Sequence, residues 1–276
     1  MKKPLKGLLA LAGIPALYLG AVLPGKRSMK RTIFPRRYYA HRGLFDNRGA
    51  APENSLPAFE RAIRHGFGIE LDVQLTKDRI PVVFHDDYLG RACGIKGKIS
   101  DYTYEQLREF TLFNSEERIP LFKEVLSRVD GKTPLIVELK MPGTDPEVCK
   151  IADRLLSSYE GAYCIESFNP LALLWYRKNR PHVIRGQLGQ VYGRHQKKSS
   201  LHRDLFLILH GRLVFNFITK PDFIAYDCRD HMEFSRTLCR KLFHHPAVAW
   251  TVKSQEQLDS IRSAYDVFIF DNFVPM

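Results

Sequence analysis

The stretch "YYAHRGLFDN" sets His41 and Arg42 side by side where a short apolar run stops. A histidine can move a proton near neutral pH, and an arginine can grip an oxyanion with two parallel hydrogen bonds. Taken alone, the pair also reads as a polar strand end. Further on, "GIELDVQLT" alternates polar and aliphatic residues. In an extended chain, residues two apart point the same way. Glu70, Asp72 and Gln74 therefore share one face, and Ile69, Leu71, Val73 and Leu75 share the other. "PLIVELK" repeats the pattern, with Ile136, Glu138 and Lys140 opposite Leu135, Val137 and Leu139. Carboxylates that face inward together repel and are poorly solvated, so they need a cation. Glu70, Asp72 and Glu138 on neighbouring strands make an oxygen-rich site for one hard divalent ion, Ca²⁺ or Mg²⁺. A donor set poor in histidine and free of cysteine argues against zinc.

Something must hold these residues together. From Tyr38 onward, short apolar runs alternate with helix-like stretches. Strands are predicted at Tyr38–His41, Ile69–Leu75, Leu135–Lys140, Tyr163–Ser167, Val183–Leu188, Phe223–Asp227, Ala247–Val252 and Val267–Phe270. Helices fit between them, among them one continuous helix over Arg203–Phe217. Eight strands alternating with helices predict a closed (β/α)8 barrel of the TIM type. Ile80 to about Phe113 is too long for one crossover and reads as a small insertion between strands two and three. His41, His85 and the acidic residues all fall at carboxyl ends of strands or in the loops above them, the face where such barrels do chemistry. The chain ends six residues after Phe270, so no helix follows the last strand, and another segment must cover it. Lys26–Arg37, or the end of the apolar segment before it, is the expected cover.

In "AHRG", "PENSLPAFERAIRHG", "IELDVQLTKDRIPVVFHD", "VELK", "ESFNP", "KPDFIAYD", "WTV" and "FIFDN", the chain resembles glycerophosphodiester phosphodiesterases from Tyr38 to Asn272. The first three blocks carry most of the specificity. The resemblance implies metal binding by Glu70, Asp72 and Glu138, and acid and base roles for His41 and His85. It implies phosphate contacts from Arg42 and Lys140, places Glu53 near the metal, and sets Trp250 over the barrel mouth against glycerol carbons. The residues of the helix start at "PENSLP" also fit plain capping, with Asn54 or Ser55 as the N-cap and Glu53 favoured by the helix dipole. The activity implied is metal-dependent hydrolysis of glycerophosphodiesters to an alcohol and glycerol 3-phosphate. The alternative is a lysophospholipase D-like enzyme acting on lysolipids at a membrane.

The formal charge of +12 over 276 residues gathers in residues 1–37 and 177–220. Two basic patches on an acidic body do not make a nucleic-acid stripe, and no nucleic-acid partner is expected. Five dispersed cysteines exclude a disulfide framework as the source of stability. Gly7 to Gly25 carry no charge, with lysines before and a heavier basic flank after. Nineteen such residues just reach the length of a spanning helix. Residues 1–37 are thus expected to be a membrane anchor, with a cleaved signal as the rival, and 38–276 the barrel. The flanking charge favours a cytoplasmic catalytic domain; a signal would make it secreted.

Overall fold

The structure is a computed structural model and describes residues 15–25, 34–192 and 201–276. Strands β1 (Tyr38–His41), β2 (Gly68–Leu75), β4 (Leu135–Leu139), β5 (Tyr163–Ser167), β6 (Arg185–Gly189), β7 (Phe223–Asp227), β8 (Ala247–Val252) and β9 (Val267–Phe270) run parallel, each beside the next. β1 pairs with both β2 and β9, which closes the predicted eight-stranded barrel. The ninth strand, β3 (Pro81–Val83), folds back antiparallel on β2. It opens the predicted insertion, which has its own small core of Val82, Phe84, Leu89, Ala92, Ile99 and Leu107.

Alternation sorts the side chains. Ile69, Leu71, Val73, Leu135, Val137 and Leu139 point out and merge with α1 (Leu56–Arg64), α4 (Phe122–Val129) and α5 (Glu147–Leu156), which follow the insertion helices α2 (Gly90–Cys93) and α3 (Tyr104–Leu107). Inside, the amino-terminal end is plugged by aromatic and aliphatic groups, among them Phe34, Tyr39, Ile136, Phe223 and Val248. Glycines make that plug possible. A Cβ at Gly186 would lie 2.1 Å from the Phe223 ring, and one at Gly68 would lie 2.4 Å from Tyr39. The inward acids are left to the other end.

One expectation needs correction. The stretch after β6 is not one helix. After α6 (Pro170–Asn179) the chain forms α7 (Leu201–Gly211) and α8 (Asn216–Thr219), with Leu213 between them at φ 56°. Gly211 sits where a Cβ would fall 2.5 Å from the Gln190 carbonyl oxygen, so the chain passes too close there for a side chain. Of the uncharged amino-terminal run, only the carboxyl-terminal part falls among the described residues. Its residues 15–22 are helical, and they lie against the barrel. Tyr18 stacks on Phe234 and bonds Ser235 on α9 (Phe234–Leu242). The Val22 carbonyl accepts from Asn216 Nδ2 at 3.0 Å, and the Leu23 carbonyl from Lys220 Nζ at 2.9 Å. Among the described residues no helix is long and apolar enough to cross a membrane. Residues 1–14 and 26–33 lie outside the described residues.

Among the described residues, those of the uncharged run are not partners of the rings of the last strand. Outside β9, the Phe268 ring meets Tyr38 and the Arg37 guanidinium, 5.3 Å from its centre. Phe270 meets Phe67 and Phe273. Arg37 is the one part of the expected cover found there among the described residues. The last crossover helix, α10 (Gln255–Ile261), precedes β9 and adds Leu258 and Ile261 to the same core.

Candidate active site

Register brings the acids together. Asp72 on β2 is level with Glu138 on β4, which is level with Glu166 on β5. Glu70, Asp72 and Glu138 each offer an oxygen, and these atoms lie within 4.8 Å of one another. All three are buried. Glu166 was missed by the sequence reading, although the same alternation along "YCIES" turns it inward. Its Oε2 is buried with no hydrogen-bond partner among the described residues.

The turn after β1 serves this cluster. Arg42 takes a left-handed backbone, φ 56°, and its N–H donates to Glu70 Oε2 at 3.1 Å. Its guanidinium donates to Glu53 at 2.6 Å and lies 3.7 Å from Asp72. Asn54, also left-handed, donates to Asp72 Oδ2 at 2.9 Å. Of the two capping candidates, Ser55 is therefore the N-cap of α1, and Asn54 steadies a carboxylate instead. Lys140, just past β4, sets its ammonium 2.8 Å from Glu138 and 3.0 Å from Asp72.

Four buried carboxylates thus face two cations, Arg42 and Lys140. Burial, with Asp72, Glu166 and Glu138 close by, pushes the Glu70 carboxyl well above the ordinary range. Burial also raises Glu138, although Lys140 opposes it, and raises Glu166 strongly. Burial would raise Asp72 too, but Lys140, His85 and Arg42 outweigh it and hold that group well below its usual value. The imbalance and the orphaned Glu166 oxygen are what a hard divalent cation would answer. The residues present fit such an ion, held by Glu70, Asp72 and Glu138.

Each candidate histidine has an aspartate behind it. His41 Nδ1 is 3.1 Å from Asp271 Oδ2, and His85 Nδ1 is 2.6 Å from Asp86 Oδ1. An ionised carboxylate only accepts, so each Nδ1 carries the hydrogen and each Nε2 is left for chemistry. His41 Nε2 stands 4.0 Å from Glu70. Burial, helped by Arg42, lowers His41 to about 4, so its ring is neutral at pH 7. Gln74, the third inward residue of β2, holds the His85 loop. Its Nε2 lies within 2.8–3.1 Å of the Phe84, His85 and Asp86 carbonyls.

Arg91, on α2 of the insertion, was invisible to sequence reasoning. It bonds Glu53 at 2.6 and 2.9 Å and Asp86 at 2.6 and 3.0 Å. One guanidinium therefore joins the carboxylate behind Arg42 to the carboxylate behind His85. Glu53 is spent on Arg42, Arg91 and Asn47, and these contacts hold it down at about 2 against its burial. Trp250 lines a cavity of about 80 Å³ with His41, Arg42, Glu70, His85 and Glu138. Its ring stands edge-on to Phe168, and its buried Nε1 has no hydrogen-bond partner among the described residues.

Residues 41–206 match the family described as the glycerophosphoryl diester phosphodiesterase family. The chain belongs to that family. The match holds every residue of the acidic cluster and both histidines, while Trp250 and Asp271 lie beyond it. A glycerophosphodiester phosphodiesterase of Bacillus altitudinis is 35% identical over 161 residues, 53% of this chain and 64% of that one. A human lysophospholipase D is 34% identical over 125 residues, 41% of this chain and 38% of that one. The chain spans 64–66% of the length of three bacterial relatives that it matches. In fold it is similar to an Oleispira antarctica phosphodiesterase solved with sn-glycerol-3-phosphate. The TM-score is 0.67 at 23% identity, over 86% of this chain and 92% of that one.

Proposed function

We propose that this chain hydrolyses glycerophosphodiesters to an alcohol and glycerol 3-phosphate, with one divalent cation at Glu70, Asp72 and Glu138. The observation that carries the reading is the meeting of three mutually close carboxylates, two cations and two aspartate-backed histidines around one small cavity. A phosphodiester resists attack because charge builds on its equatorial oxygens. A bound divalent ion polarises the phosphoryl group and offsets that charge. Arg42 and Lys140 add fixed positive charge beside it, Arg42 with a buried Nε that has no hydrogen-bond partner among the described residues. His41, held neutral, is equipped to accept the proton of the attacking oxygen. His85 acts in the form that also carries a proton on Nε2, gives that proton to the leaving alcohol and is left neutral, each transfer contributing on the order of 10²–10⁴-fold. The Trp250 face suits glycerol carbons, and its unpaired N–H suits a hydroxyl.

The test is product identity. Glycerophosphocholine with Mg²⁺ or Ca²⁺, followed by ³¹P NMR, should give glycerol 3-phosphate and free choline. Phosphocholine and glycerol as products would overturn the proposal. Arg91 supplies a second check. Arg91→Ala should lower kcat about tenfold or more, because the carboxylates behind Arg42 and His85 lose their shared partner. The melting temperature should hardly move, since Arg91 is nearly half exposed. Arg91→Lys, which cannot form the fork, should recover only part. An unchanged kcat in Arg91→Ala would refute the linkage.

One observation favours a second reading. An open groove leaves the site beside Lys140 with apolar side chains along it. The same chemistry on a lysolipid would use it, as the name of the human relative suggests. The uncharged run from Gly7 and its basic flank would then bring the enzyme to a membrane that supplies the substrate.

A further inference from the structure

The cavity at Trp250, about 80 Å³, is too small for both ends of a phosphodiester. With the leaving oxygen at His85, the rest of the leaving alcohol lies beyond it. Lys140, which pairs with Asp72 and Glu138 at the cluster, also lines a second cavity, of about 350 Å³. So do Gln74, which holds the His85 loop, and Asp87, two residues past His85. The walls come from the turn between β2 and β3, the insertion and the segment after β4.

Most charges of this lining are already matched. Arg79 pairs with Asp145 at 3.5 Å, and Glu147 with Lys150 at 3.2 Å. Lys140 is spent on the acidic cluster, and the Thr76 hydroxyl donates to Asp78. Three charged groups are left. Among the described residues, the Asp87 carboxylate and the Lys77 ammonium have no hydrogen-bond or ion-pair partner. The Lys98 ammonium rests on the Tyr88 ring, 5.2 Å from its centre, and keeps its donors for another group. One carboxylate and two ammonium groups in one cavity complement a head that carries both signs. An uncharged head gains nothing from either. A head with an ammonium alone would use Asp87 and be repelled by both lysines.

We infer that this cavity is the head-group site and that it selects a leaving alcohol bearing both an ammonium and a carboxylate, as the serine head of glycerophosphoserine does. Asp87, nearest His85 in the chain, takes the ammonium; Lys77 and Lys98 take the carboxylate. This rests on the phosphodiesterase reading above and adds the substrate class. None of the three residues touches the reacting atoms, so they set specificity and leave the chemistry to the cluster and the histidines.

Glycerophosphoserine, glycerophosphoethanolamine and glycerophosphocholine, compared at low salt with Mg²⁺ or Ca²⁺, test it. The serine diester should exceed the other two about fivefold or more in kcat/KM, and the margin should shrink as salt rises. Lys77→Gln and Lys98→Gln together should remove the margin and leave turnover of the ethanolamine diester no lower than in wild type. Asp87→Asn should lower kcat/KM severalfold for the serine and ethanolamine diesters and spare glycerophosphoglycerol, which has no ammonium. A serine diester no better than the ethanolamine diester, or a margin that survives the double lysine substitution, overturns the site. Calorimetric titration of phosphoserine and phosphoethanolamine into the metal-loaded protein separates this from failure of the activity. If no diester is turned over, the phosphodiesterase reading falls. Tighter binding of phosphoserine that is lost in the double lysine variant still supports the head-group site, and equal or absent binding removes it too.

Discussion

Glu70→Gln, Asp72→Asn and Glu138→Gln should each lower turnover more than about 10³-fold, because on the proposed reading each removes a charged ligand of the cation. The variants should differ in stability, and the difference follows from their partners. Glu70 is paired by one backbone N–H, and burial with the charges of Asp72, Glu166 and Glu138 outweighs the Arg42 charge beside it. Neutralising it relieves repulsion, so Glu70→Gln in chelator should melt at or above the wild-type temperature. Asp72 holds Lys140, Arg42 and Asn54, and Asp72→Asn leaves two buried cations short of a partner. It should melt lower. Wild type should gain stability with added Mg²⁺ or Ca²⁺, about 2.7 kcal/mol at a hundredfold excess over Kd, and both variants should lose most of that gain. A Glu70→Gln enzyme with wild-type turnover would contradict the assignment.

The histidines come next. His41→Ala and His85→Ala should each lower kcat at least about 10²-fold with metal affinity nearly intact. Neither ring is needed to complete the three-carboxylate cluster, and each is set by its own aspartate. Asp271→Asn tests the positioning half of the argument. Its amide can donate as well as accept, so His41 is no longer held with the hydrogen on Nδ1, and kcat should fall while KM changes little. If His41→Ala or His85→Ala lost mainly metal, that histidine would be a ligand.

Much of this site was legible because strand alternation is a strict rule. Glu70, Asp72 and Glu138 turned inward as their spacing required, and neighbouring strands set Asp72 level with Glu138. The same rule would have found Glu166, whose strand reads Tyr-Cys-Ile before it. Asp271 stands one residue beyond β9, where alternation says nothing about the reach of His41. Arg91 could not be found, because it lies in an irregular insertion and acts through a contact 38 residues away in the chain. The seat of the amino-terminal segment was not legible for a physical reason. An uncharged, apolar run looks alike whether lipid or a barrel flank buries it, and that its end rests on the barrel shows only in the partners of Val22 and Leu23. The break between α7 and α8 depended on how closely Gly211 passes Gln190, a tertiary fact.

The central claim is that the acidic cluster works by holding one divalent cation for phosphodiester cleavage. Its most direct test is turnover of glycerophosphocholine by chelator-treated, dialysed protein as Mg²⁺ or Ca²⁺ is titrated back. The account predicts no glycerol 3-phosphate before the metal is added and saturation at about one ion bound per chain. Full turnover in the presence of chelator would contradict it.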